Sequence, residues 1–388
     1  MANTLTGLIP TLYEALDTVS REMVGFIPAV SRDSSAARAA LNETILVPVT
    51  TGQAAYDTVP GITAPNTGDQ TVNSVAMTIT RSKHVPIRWN GEEQRGMANA
   101  GTYNQVLLNQ FTQGFRTLTN LMELDLFTAA ITNASRAWGT AGTTPFGTPG
   151  NLSDIAQVRK ILADNGAAVT DLQYVGSTAT FANLRGVQTV LFKVNESGTS
   201  DLLRNGILGR LEGFDLHESA AVTLQAKGSG AGFTTTNAGF AAGTTQIPII
   251  TGTGTVNAGD VISFAGDPNQ YVVQVGTTGP GTITIGAPGL EQAIPATATA
   301  MTIAASRTPN VAFSRSAIQL ITRAPQMPVG PDGDAMDMAD DVVQVTDPVS
   351  GITFDIAVYR QFMQMVYHVR LAWGAAAIKP EHTVLSLG

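Results

Sequence analysis

Residues 246–285 read QIPIITGTGTVNAGDVISFAGDPNQYVVQVGTTGPGTITI. Four short runs, Gln246–Ile250, Val261–Phe264, Tyr271–Val275 and Thr282–Ile285, alternate or cluster β-branched residues, and Gly, Pro and Asn separate them. Ala300–Ile303 adds a fifth run. Short β-type runs at this spacing, bounded by turn residues, predict a small sandwich or barrel. The block lies within Ala221–Ser306, where Lys227, Asp260, Asp267 and Glu291 carry all the charge. The flanks read as helical and more ordinary in charge, so the stretch is expected to be a β module inserted into another domain.

Upstream, Leu107, Phe111, Phe115, Leu118, Met122, Leu126 and Ala129 recur at intervals of three and four. That matches the helical period of about 3.6 residues and predicts a helix from about Thr102 to Ser135, about 50 Å long at a rise of ~1.5 Å per residue. Gly114 falls inside it at a cost of about 1 kcal/mol relative to Ala. Leu8, Leu12, Leu16, Val19 and Met23 mark one face of a shorter helix, followed by a small, polar stretch over Ser31–Ala40. Two readings stand for it: a first core helix, or an extended arm that packs on neighbouring copies. Ile45–Val49 and Val75–Ile79 read as strands joined by Thr50–Ser74, a connection long enough to suggest a projecting hairpin or lid. Ser153 is expected to cap a helix that stops at Asn165-Gly166. A strand over Leu172–Val175 and a short helix near Ala179–Leu184 follow. Beyond the module, Ala317–Thr322 is strand-like, Arg323–Asp341 is a Pro-rich and then Asp-rich loop, and Gly351–Trp373 gives apolar β-type runs before a small-residue turn region, Gly374–Pro380.

The 388 residues are 43% hydrophobic with a mean hydropathy of +0.10, a globular balance. Only 13% are charged, against about 25% in ordinary soluble domains. A surface so poor in charge is read as one covered in an assembly. With 22 Lys plus Arg against 30 Asp plus Glu, the net charge is −8. Tight nucleic-acid binding, which draws on basic residues, is therefore not expected, whereas enclosing DNA without adhering to it is compatible. Cysteine is absent, which excludes disulfides and thiolate chemistry. No signal peptide is read at the N-terminus, and no apolar run approaches the ~20 residues of a membrane span. The expected setting is a cytoplasm-like compartment or release from it by lysis.

The search for catalytic chemistry yields little. His84, His217, His368 and His382 are scattered without metal-ligand spacing. No nucleophile elbow or phosphate-binding loop occurs, and Gly252-Thr253-Gly254 reads as a turn. Glu92 and Glu93 are adjacent and would not face each other as an acid–base pair. The best metal candidates are Asp332, Asp334 and Asp337, with Asp340 and Asp341 nearby, since carboxylates on one loop suit Ca²⁺. Gly333 after the first Asp and the missing Glu at the twelfth position break the EF-hand pattern, and a solvated loop or intersubunit charge contact is preferred. No catalytic residue, cofactor or metal is assigned, and the chain is read as a structural protein.

Taken in order, several segments resemble the major coat proteins of tailed phages, in particular the lambdoid podovirus type with an immunoglobulin-like domain inserted in the HK97-type fold. They are Asn42-Glu43-Thr44-Ile45-Leu46-Val47-Pro48-Val49, Gly213-Phe214-Asp215, Gly259-Asp260-Val261-Ile262-Ser263-Phe264-Ala265-Gly266, Asn310-Val311-Ala312-Phe313 with Ala317-Ile318, and Arg370-Leu371-Ala372-Trp373-Gly374 with Lys379-Pro380-Glu381. The resemblance implies an α+β coat fold with an N-arm (1–44), an extended hairpin loop (45–88), a peripheral domain with a spine helix (89–164 and 349–388), an axial domain (165–220 and 306–348) and the inserted β domain (221–305). It implies hexamers and pentamers closing into an icosahedral shell around double-stranded DNA, a scaffolding protein and portal as assembly partners, assembly in the host cytoplasm, and no membrane. Leu8, Leu12, Tyr56, Ile62, Asp340 and Asp341 become candidate intersubunit contacts. The family's long charged loop in the inserted domain has no counterpart here, because Gly228–Gly243 is short and uncharged. The rival readings are a surface-layer or tail structural protein with an adhesive β module, and a hydrolase with an accessory carbohydrate-binding domain.

Overall fold

The computed structural model describes residues 9–20, 24–49, 55–63, 73–99, 103–188, 191, 209–331, 337–347 and 350–388. Its helices are α1 (Ile9–Ser20), α2 (Phe26–Ala29), α3 (Gly91–Asn99), α4 (Tyr103–Thr132), α5 (Ser153–Asp164) and α6 (Thr178–Gly186). The apolar spacing of α4 is realised as a buried stripe running from Leu107 through Phe111, Phe115, Leu118, Met122 and Leu126. That stripe lies on the 14-residue strand Gln364–Ala377, the hub of a six-stranded sheet. Arg81–Asn90 pairs along one edge of the hub strand, while Thr353–Gln361 and Ile318–Pro325 share the other. Asp341–Thr346 and Ser31–Ala39 complete the sheet, the latter running parallel to Ile318–Pro325. Edge-on aromatic contacts lock α4 down, with Phe115 and Phe354 ring centres 5.0 Å apart and Phe111 and Tyr367 5.6 Å apart. The architecture is α+β, and the flanks of the module carry far more strand than their helical reading suggests.

A second sheet begins with Arg210–Leu211, Phe214–Glu218, Leu172–Gly176, Pro309–Ser314, Thr383–Leu387 and Arg136–Trp138. Its two central strands, Pro309–Ser314 and Thr383–Leu387, are buried at every position, as strands covered on both faces must be. Helices α5 and α6 cover one face through Ile155, Val158, Leu162, Phe181 and Leu184. Residues 306–348 split between the sheets, because the chain leaves Pro309–Ser314 through one 3-10 turn, Arg315–Ala317, and enters Ile318–Pro325 in the other sheet. Helix α5 packs on the second sheet, and the last strand pairs within that sheet while its Leu385 and Leu387 join the core around α4. Gly374–Ala377, read as a turn, continues the hub strand. Ser153 opens α5 rather than capping it; Leu152 is the cap and offers no side-chain bond.

The inserted module continues this second sheet. Gln270–Val275 pairs with Arg136–Trp138 through Gln270–Ala137 and Tyr271–Arg136, and Gly281–Ile285, Gln246–Thr253 and Ala231–Thr235 extend it. Val261–Phe264 and Met301–Ile303 pair beside them. Successive strand side chains point to opposite faces, so Tyr271 and Val273 enter the module's own core while Val272 joins the core around α4. Where the chain leaves the module, buried Arg307 donates to the Gly259 carbonyl and stands 3.9 Å from Asp260. Asp260 in turn accepts from the backbone N–H groups of Gly228 and Asn257.

Candidate assembly surfaces

Among the described residues, the most exposed large apolar side chain, Ile62, lies on a projection. Thr44–Val49 and Asn73–Thr78 pair antiparallel over six positions and form a separate two-stranded ribbon. Its root is tied to the body: Met77 and Ile79 pack with Ala39, Ile321 and Ala372, and Thr80 donates to the Trp373 carbonyl at 3.1 Å. Gly374 permits that approach, since a Cβ there would overlap the Thr78 carbonyl oxygen. Beyond the root, residues 55–63 are all exposed, with Tyr56 66%, Val59 73% and Ile62 107% accessible. Covering side chains of this size yields about 1.5–3 kcal/mol each, and nothing among the described residues of the same chain covers them.

On the body, a groove of 420 Å³ runs between Arg81–Asn90 and α4, with Val85, Pro86, Ile87, Val106 and Gly114 on its walls. The Trp89 indole N–H fixes the two elements by donating to Gln110 at 2.8 Å. Near the end of this sheet, the turn between Thr353–Gln361 and Gln364–Ala377 holds out Phe362 and Met363. A larger cleft of 660 Å³ lies where the module meets the body, lined mostly by small and neutral residues together with Arg136, Trp138, Asp154 and Lys160. Asp154 is occupied there by the Phe146 N–H, and Lys160 pairs with Asp164.

The other residues singled out in the sequence fall as follows. Tyr56 and Ile62 are exposed on the projecting loop. Leu12, expected at an intersubunit contact, is fully buried with Ala15 and Leu16 in the core cluster that includes α4. The reason is local: the apolar face of α1 finds a partner within its own chain, and residues 24–39 are joined to the body by α2 and the Ser31–Ala39 strand. Leu8, Asp332 and Asp334 lie outside the described residues. Asp337 is an ion-pair partner, accepting from Tyr359 at 2.8 Å and from Arg370 at 3.0 Å. Burial pushes its carboxyl up, but those hydrogen bonds and the Arg370 charge outweigh it and hold its pKa below the usual value. Arg370 also reaches Asp355, which binds Arg38 at 3.1 Å. Asp340 pairs with Arg360 at 2.6 Å, and Asp341 begins a strand opposite Val358. The described end of the Asp-rich loop, from Asp337 onward, is therefore stitched to the sheet, and no group of three or more metal-ligating side chains occurs among the described residues. No described helix is long and apolar enough to cross a membrane.

His84 and His368 stack with ring centres 4.7 Å apart, a contact that sequence spacing does not reveal. Burial, His84 and Arg370 together lower the His368 pKa.

No family model matches the chain, and no curated protein matches it. Among solved structures, it is similar to the capsid of cyanophage P-SCSP1u at 10% identity and a TM-score of 0.46, covering 95% of this chain and 88% of that one. It is similar to a virus-like particle from Pyrococcus furiosus at 9% identity and a TM-score of 0.44, covering 98% and 97%. For Mycobacterium phage Che8 the values are 12% and 0.43, covering 89% and 84%.

Proposed function

We propose that the chain is the major capsid subunit of a tailed double-stranded-DNA phage, of HK97 type, whose copies form hexamers and pentamers of a closed icosahedral shell. The observation that carries this reading is the ribbon Thr44–Val49 and Asn73–Thr78 with its exposed apolar tip. A rooted projection that leaves Tyr56, Val59 and Ile62 in water is unfavourable in an isolated subunit, and it becomes favourable when neighbouring copies cover it. Identical contacts repeated around a ring axis close into capsomers. The low charge fraction and the net charge of −8 suit a wall that encloses DNA without holding it. The ordered coat-protein segments quoted above run through both sheets and the module. The chain's role is interface geometry, with a scaffolding protein and portal as assembly partners and the virion capsid, assembled in the host cytoplasm, as its location.

Within that reading the module, an immunoglobulin-like insertion in the proposed family, stabilises the subunit. Its own core and the shared strand Gln270–Val275 support this role. Electron microscopy of purified particles tests the assignment. Closed shells or capsomer rings are expected. Sheets or tubes would point to a surface-layer or tail protein, and a strictly monomeric particle at high concentration would overturn the assignment.

A further inference from the structure

We infer that Glu123 is a proton-operated latch that holds α2 against α4. The side chain sits on the buried stripe of α4, only 3% exposed, where helical spacing alone would place an apolar residue. Its Oε1 accepts from the Phe26 N–H at 3.1 Å and the Ile27 N–H at 3.3 Å, and its Oε2 accepts from the Phe26 N–H at 3.0 Å. Ser219, at the start of the path into the module, donates to Oε2 at 3.5 Å. Three remote segments thus meet on one carboxyl. They meet closely, since a Cβ on Gly25 would lie 2.7 Å from that of Ser219. Phe26 then inserts between Phe127 and Phe313, with ring centres 6.0 and 6.4 Å away.

Among the described residues, no charge compensates this carboxyl. Helix α2 carries none. Glu218, beside Ser219, is bound to Arg185. Arg315 pairs with Asp171 and donates to the Pro28 carbonyl. Asp125, on the outer side of α4, is held by Arg81 and Trp373. Burial accordingly raises the Glu123 pKa from 4.5 to about 7, against the opposing pull of the backbone and Ser219 hydrogen bonds. The sign follows from linkage. The closed state binds the extra proton, so its advantage is complete below pH 4.5 and is lost as pH rises through about 7. Ionisation therefore shifts the opening equilibrium toward states in which the carboxylate reaches water. The inference concerns the subunit itself and is independent of the assembly it forms.

Hydrogen exchange of the Phe26 and Ile27 amides in the full chain, corrected for intrinsic rates, tests the latch, with Val311 in a buried central strand as reference. Between pH 5.5 and 8.5 the opening constant at Phe26 and Ile27 should rise about 30-fold relative to Val311. Glu123→Gln, which keeps the shape and both acceptor and donor capacity, should abolish that rise. Equal pH dependence in the variant, a flat wild-type profile, or a rise shared by Val311 would overturn the latch. Should the variant fail to fold, ¹³C NMR of the wild-type Glu123 carboxyl decides: titration near pH 7 supports the latch and titration below pH 5 refutes it.

Discussion

Two stretches leave the body of this protein and return to it, and they solve the problem of exposed backbone in opposite ways. The module between residues 221 and 305 closes around its own core, with Phe233, Ile249, Phe264, Tyr271, Ile283 and Leu290 buried together. It then shares a wall with the body through Gln270–Val275. The ribbon formed by Thr44–Val49 and Asn73–Thr78 has a root but no core, and its described tip is exposed throughout. The two stretches, 44–78 and 221–305, are both rich in Thr. What separates them is whether alternate positions on neighbouring strands supply enough apolar side chains to exclude water from one face. An insertion that does so can stabilise itself and its host, whereas one that does not is completed from outside.

The largest test of this contrast lies in the shared wall. Tyr271→Ala removes a fully buried ring and the hydroxyl that donates to Asp267 at 2.6 Å and accepts from the Glu291 N–H at 3.0 Å. A loss of about 3–5 kcal/mol is expected. Urea unfolding followed by tryptophan fluorescence, which arises only in the body from Trp89, Trp138 and Trp373, and by amide exchange in the module should give one coincident transition. A module that melts alone, with the body at its wild-type midpoint, would show that the continuous sheet does not couple them.

Gly374→Ala probes the root of the ribbon, where the added methyl meets the Thr78 carbonyl. Overpacking of this kind costs about 1–3 kcal/mol, read as a lowered melting temperature. A neutral result would mean that the ribbon shifts freely on the hub strand. The smallest effect on stability is expected at the tip. Ile62→Asp should leave the unfolding midpoint within about 0.5 kcal/mol of wild type, as exposed substitutions do. Sedimentation should nevertheless reveal at least a tenfold loss of assembled material. Unchanged assembly would remove the tip from the interface.

Much of the local structure was legible because side-chain periodicity reports directly on which face is buried. The seven apolar positions from Leu107 to Ala129 predict α4, and four of the β-type runs predict module strands to within a residue, whereas Gln246–Thr253 runs three residues past its expected end and Ala231–Thr235 went unread. The sequence Ser-Arg-Asp-Ser-Ser-Ala-Ala-Arg-Ala, 31–39, has no apolar pattern and nevertheless forms a strand. Its stability comes from pairing with Ile318–Pro325 and from the Arg38–Asp355 and Asp33–Arg323 ion pairs, which join residues far apart in the chain. Glu123 was missed for a related reason: helical spacing puts it among Thr119, Met122 and Phe127, but nothing local says that Phe26 and Ile27 will bring their amides to it.

The sequence alone determined the long helix, the ribbon strands and the β character of the module, since each depends on residue type and short-range spacing. Tertiary structure alone decided that α1 packs on its own chain, that residues 306–348 divide between two sheets, and that Val272 and Tyr271 serve different cores. These outcomes depend on which distant segments meet. Chain connectivity constrains such meetings only weakly, because loop-closure entropy grows slowly with length; burial and hydrogen-bond pairing across the whole fold select among them.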